Sequence, residues 1–266
     1  MKFLYEVNSD TRKLIKRSSR ESDLKKKFDI GEMSSISTLE VAWFHVCVPW
    51  PMYREDESDF CWRVAKTNKL EFLKWIREEK KYRWDESTTD VAATRGNMEM
   101  VKYCVANKCP IGTGTCARVA GNGDLECLKY LREEGKAPWD SETAARAADN
   151  GHLHILEYLV ERKYDKYSEY VGDQAFYKCA CEMAARKGHL DCLKYLHETA
   201  KAPWNEGAVE KAHENNHPEC VQYCLDNDCP LPYRWFYEDG ELIEEFYDVE
   251  EERWNERTIF SSFRNS

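Results

Sequence analysis

No stretch of this 266-residue chain stays apolar for long enough to cross a bilayer. The longest run, Val41 to Val48, falls far short of the ~20 residues a transmembrane helix needs. The first residues, Met1-Lys2-Phe3-Leu4-Tyr5-Glu6, turn acidic before a signal-peptide core can form, so a cytoplasmic or nuclear address is expected. Positive charge is also in short supply. With 49 acidic against 39 basic residues the formal charge is −10, which argues against a general nucleic-acid binder. A phosphate-cradling loop is missing too: Gly112-Thr113-Gly114 lacks the Lys and following Ser/Thr of such a site. No Ser/His/Asp arrangement stands out, and Cys179-Ala180-Cys181 has the wrong spacing for a two-residue-gap redox or zinc motif. These gaps remove most routes to catalysis. No enzyme activity, cofactor or small-molecule substrate is expected.

What is present is a folded composition, 42% hydrophobic and 13% aromatic. The charge is uneven along the chain. Residues 1–30 hold nine Lys/Arg against five Asp/Glu, and residues 231–266 hold four against ten. Such ends read either as interaction tails or as solvated surface. Nucleic-acid binding through the basic N-terminus stays open as an alternative.

A phrase recurs. Ala137-Pro138-Trp139-Asp140 returns as Ala202-Pro203-Trp204-Asn205, and Gly151-His152-Leu153 returns as Gly188-His189-Leu190. Aligning on the turn residue gives Asn68, Gly96, Gly123, Gly151, Gly188 and Asn216, in steps of 28, 27, 28, 37 and 28. One unit is therefore stretched, near residues 168–176. Each unit reads as two antiparallel helices. The first is short and Ala-rich, with Ala144, Ala147 and Ala148 at i, i+3 and i+4. Asp85, Asp140 and Asn205 stand where N-caps belong. Gly or Asn ends the first helix in all six units, because a left-handed residue is needed there. The second helix is longer. Cys127, Leu128, Tyr130 and Leu131 span an arc of roughly 160° at ~100° per residue, the width needed by a helix wedged between neighbouring units. Lys74, Lys102, Lys129 and Lys194 recur on the opposite, solvated side.

The segments at 184–196 and 148–159 resemble ankyrin repeats, in particular the variant abundant in protists, algae and large DNA viruses in which Pro-Trp-Asp separates units. The resemblance covers six units over residues 57–232 and implies an all-α helix-turn-helix solenoid. It departs from the family in its period of ~28 against ~33, and in lacking the Thr-Pro-Leu-His start, which puts the protruding hairpin in doubt. Around the array, residues 1–33 read as a basic N-terminal segment and 34–56 as a degenerate capping repeat. Residues 233–266 read as an acidic, aromatic C-terminal cap, since end units must turn an atypical face to water.

Most of the twelve cysteines fall into the repeat register. Cys127, Cys192 and Cys220 share a position with Phe72, Met100 and Ile155. Cys104 and Cys224 share one with Ile76, Leu131, Leu159 and Leu196; Cys61, Cys116 and Cys181 share one with Ala144 and Val209. These are core slots, where free cysteine is at home. His213, His217, Cys220 and Cys224 hold zinc-ligand types within twelve residues, and an enzyme or zinc protein built on them is the alternative function. Trp84, Trp139 and Trp204 lie between units and read as packing over helix ends, with an interface role as the rival.

The resemblance implies that the short first helices line a concave, protein-binding face. On it the register places Arg63, Lys66, Arg95, Arg118, Arg146, Arg186, Lys187 and Lys211, a cationic stripe on an acidic protein. A non-catalytic interaction module is expected, serving as scaffold, adaptor or complex subunit and binding one or more protein partners, with acidic segments of a partner suited to the stripe. The rival is an ordinary solvated face paired with acids such as Asp149 and Glu214.

Overall fold

The computed structural model describes residues 35–36, 57–162, 173–239, 241–248 and 253–261. The basic segment at 1–33, nearly all of the 34–56 capping repeat and the core of the insertion therefore lie outside the described residues. The chain divides into two compact units. The first holds residues 57–115 and 130–137; the second holds 116–129 and everything described from Pro138 onward.

In the first unit, α1 (Glu57–Lys66) packs against α2 (Leu70–Glu78) and α3 (Glu86–Thr94), and α3 packs against α4 (Met98–Ala106). The entry to α3 is fixed by Asp85, whose carboxylate accepts from the Ser87 amide at 3.0 Å. Its exit is Gly96, at φ +65°. There Gly96 N–H donates to the Ala93 carbonyl and Asn97 N–H to that of Ala92, the bond pair of a Schellman stop. Asn97 then caps α4 by accepting from the Met100 amide. Phe60, Phe72, Leu73, Ile76 and Met100 are fully buried between these helices, each contributing about 1.5–3 kcal/mol.

The third helix pair, α5 (Thr113–Asn122) and α6 (Leu125–Glu133), contributes residues to both units. In the second unit follow α7 (Ser141–Asp149), α8 (Leu153–Glu161), α9 (Asp173–Lys187), α10 (Leu190–Glu198), α11 (Glu206–Glu214) and α12 (Pro218–Asp226). The helices form two layers. First helices α7, α9 and α11 pack in series, and second helices α8, α10 and α12 pack in series behind them. Alanine permits this spacing: Ala144, Ala147, Ala148, Ala184, Ala185, Ala208 and Ala212 are wholly buried in the first layer. All six turn residues hold positive φ, from +59° at Asn216 to +74° at Gly123. The stretched unit spends its extra residues partly on helix, since α9 runs for 15 residues where α7 and α11 run for 9.

The solenoid is followed by a small sheet. Strands β1 (Trp235–Glu238), β2 (Glu241–Asp248) and β3 (Arg253–Ser261) pair antiparallel in the order β1-β2-β3. Trp235 lies opposite Glu244 and Phe246 opposite Asn255, with a register shift between Leu242 and Ile243. The Trp235 indole meets the His213 ring of α11 edge-on at 5.3 Å. Leu242 is fully buried, and Glu244 is buried with its charge held by Arg257 at 2.6 Å. The aromatic tail thus covers part of α11 as strands, an addition to the otherwise helical fold.

Candidate functional site

The first-helix face is built by register. In each unit the residue five before the turn is exposed or half-buried, so a charge there reaches solvent. In the first unit Arg63 and Arg95 are exposed, and exposed Lys66 lies 4.3 Å from the centre of the Trp62 ring. In the second unit Arg118, Arg146 and Lys187 are exposed, while Arg186 and Lys211 are half-buried.

Arg146, Lys211 and Arg186 each hold a carboxylate. Arg146 Nε donates to Glu142 at 2.8 Å, Lys211 Nζ to Glu214 at 2.6 Å, and Arg186 Nη2 to Asp149 at 2.6 Å. The first two pairs are i,i+4 and i,i+3 contacts within one helix, on a solvent-facing side where such pairs stabilise little. The third joins α9 to α7. The hydrogen bond to Glu214 raises the Lys211 pKa, with the carboxylates of Glu214, Glu210 and Glu182 adding to it. The face is therefore less cationic than its Lys/Arg positions alone suggest.

Two of the eight residues meet around one concavity. A groove of about 320 Å³ opens between α7 and α9, lined by Ala145, Arg146 and Asp149 on one side and Cys179, Met183 and Arg186 on the other. Cys179 and Met183 occupy the register positions that Glu142 and Arg146 hold one unit earlier. An ion pair is thus replaced by two sulfur side chains. Cys179 is exposed, whereas the other ten described cysteines are buried.

Those buried thiols behave as core. Desolvation pushes the pKa of Cys61, Cys127 and Cys181 up to about 12, which keeps them protonated and poorly nucleophilic. The zinc-type quartet does not converge. His213 faces Trp235, His217 stands over Gly188, and Cys220 and Cys224 are buried in α12. Among the described residues no group of three or more His, Cys, Asp or Glu is placed to hold a metal.

The other recurrent residues have structural partners. His152 and His189 each place a ring nitrogen on a carbonyl at the end of a first helix, Gly121 at 3.0 Å and Asp149 at 3.2 Å. Trp84, Trp139 and Trp204 pack edge-on against Tyr103, Tyr158 and Tyr223 at 5.9–6.1 Å. Arg77 lies over Trp84 at 4.7 Å and His197 stacks on Trp204 at 3.8 Å. Lys74, Lys129 and Lys194 are exposed but reach over the same three tyrosines at 5.5–5.7 Å. The lysines were legible only as solvent-facing; their tyrosine partners required the next helix to be in place.

Residues 115–203 match the family model for ankyrin repeats, in three copies. This stretch of the chain is an array of ankyrin repeats. Ankyrin repeats are in general protein–protein interaction modules and are typically non-catalytic. No curated protein matches the chain, and among the described residues no helix is long and apolar enough to span a membrane.

Proposed function

We propose that this protein is a non-catalytic scaffold or adaptor that holds a protein partner on its first-helix face. The observation that supports this most is the conjunction, in the second unit, of matched ankyrin repeats with an open groove on their first helices. Arg118, Arg146, Arg186, Lys187 and Lys211 of that unit are the contact residues of this reading. Arg63, Lys66 and Arg95 are the corresponding contacts of the first unit. A partner offering acidic segments suits them. The existing pairs at Arg146, Arg186 and Lys211 mean that charge contributes more to orientation and encounter rate than to affinity.

The test is affinity capture from the native cell, read by mass spectrometry, with two charge-reversed baits. One carries Arg118→Glu, Arg146→Glu and Lys187→Glu; the other carries Lys102→Glu and Lys194→Glu on the second-helix side. Circular dichroism checks that both stay folded. A partner kept by the second bait and lost from the first is the expected result. A partner kept by the first bait and lost from the second would move the binding surface to the other side of the array.

A further inference from the structure

We infer that the groove between α7 and α9 is an anchor pocket for a protein partner, taking one large apolar side chain with a carboxylate directly beside it. This rests on the reading of the first-helix face as the binding surface, and it names the chemistry recognised there.

The argument begins with the register. Nine and five residues before the turn, α7 carries Glu142 and Arg146, which pair with each other, and α11 carries Gly207 and Lys211. The same two positions on α9 carry Cys179 and Met183. Between α7 and α11 the face is therefore apolar at these two positions of α9, and Ala145 of α7, almost wholly buried, completes the floor of a notch there. The volume of about 320 Å³ is at the low end for a ligand site, with room for a side chain of Leu, Met or Phe size and for the groups beside it. Methionine adapts its shape to what it meets, and Met and Arg are both enriched at protein interfaces. Ion pairs border the floor: Glu142–Arg146 along α7, and Asp149–Arg186 from α7 to α9. A ring of polar contacts that shuts water away from a central apolar anchor is the usual arrangement of an interface hot spot.

The adjoining carboxylate follows from Arg186. Asp149 takes only one donor, Nη2 at 2.6 Å, and Arg186 Nε is buried without a hydrogen-bond partner. A guanidinium offers five donors in a flat fork, so Arg186 can hold a second carboxylate without surrendering Asp149. Charge-assisted bonds of that kind orient a peptide strongly. A basic partner would instead meet two arginines at the rim.

The test uses the full chain, immobilised, and a phage library of random 12-residue peptides. Enriched peptides are synthesised and titrated against wild type, Met183→Glu, Arg186→Gln and Arg118→Glu, each checked for a wild-type circular dichroism spectrum. Half-exposed Met183 and exposed Arg118 leave room for these changes without core damage. The expected consensus has one large apolar residue within two positions of Asp or Glu. Its affinity falls at least tenfold with Met183→Glu and several-fold with Arg186→Gln, and the bound peptide slows maleimide alkylation of Cys179. Peptides that bind Met183→Glu as well as wild type would overturn the anchor. If those peptides are still weakened by Arg118→Glu, the first-helix reading stands and only the groove assignment fails; indifference to both variants sinks the two together. A consensus without an acid overturns the role of Arg186, and a library that yields no binder overturns the pocket.

Discussion

Gly96 turns at φ +65° and Gly151 at φ +71°, and both stop a first helix with the same pair of backbone bonds. What surrounds them is different. A Cβ at Gly96 would have nothing within 4 Å, whereas one at Gly151 would lie 2.7 Å from Nδ1 of His189. His152 crowds Gly123, and His217 crowds Gly188, in the same way. The histidine that stands at the N-cap of a second helix leans back over a turn, and for His152 and His189 a hydrogen bond to a carbonyl at the end of a first helix holds it there. Where the next unit brings Asn97 instead, the turn residue is Asn68, and the two side chains bond at 2.7 Å. Two constraints therefore act on one column of the repeat. All six turns need a left-handed residue, but only the three beneath a histidine ring exclude a side chain.

The largest expected effect comes from Gly151→Ala. The left-handed backbone costs about 1–2 kcal/mol with a Cβ, and displacing the His189 ring adds about 1–3 kcal/mol. Gly96→Ala pays the first term alone. Urea unfolding should accordingly place the Gly151→Ala midpoint well below that of Gly96→Ala, and Gly96→Asn close to wild type. Equal losses at the two glycines would show that the ring contact is immaterial.

A double substitution sharpens the point. In the His189→Ala background Gly151→Ala should lose less than it does alone, with a coupling of about 0.5–3 kcal/mol as for residues in direct contact. Strict additivity, measured by the same unfolding curves, would mean that the ring moves aside at no cost.

The helix entries offer a milder contrast between equivalent positions. Asp140 accepts from the Glu142 amide at 3.1 Å and forms a capping box with Thr143, while Asn205 has the same extended backbone and no side-chain cap bond. Asp140→Ala should cost ~1 kcal/mol, and Asn205→Ala should be near neutral. A matched loss at both would reveal a cap at Asn205 in solution.

The sequence carried the periodic part of this molecule well, because periodicity is what a helical array repeats. The six turn residues have positive φ, Asp85 and Asp140 cap their helices, and the in-register cysteines Cys104, Cys127, Cys192 and Cys224 fill core slots. The pairs at Glu142–Arg146 and Lys211–Glu214 were within reach of spacing rules, and the column that places Cys179 and Met183 among charges was there to be read. Other features depend on partners far away in the chain. Arg186 finds Asp149 across 37 residues. The sheet is harder still: its inward positions include Glu244, an acid buried only because Arg257 of β3 neutralises it. That acid breaks the alternation that marks a half-buried strand, so Leu242 to Phe246 reads as merely amphipathic.

The smallest effect concerns His213, the histidine that faces the sheet. Partial burial lowers the His213 pKa below its ordinary 6.5, and the Arg257 guanidinium pushes the same way, while Glu244 and Glu214 pull it up. Folded His213 thus binds fewer protons than unfolded His213 near and below that pH. Its contribution to stability is complete above about pH 6.5 and declines as the pH falls, because protonation must then compete with packing against Trp235. The readout is the difference between wild type and His213→Gln, which cancels the other titrating groups. Between about pH 7.5 and pH 5.5 wild type should lose slightly more stability than the variant, with Trp235 fluorescence reporting release of the ring contact. If the two lose equally, Arg257 is bound so fully by Glu244 that its field does not reach the imidazole, and the sheet holds to α11 through Trp235 alone.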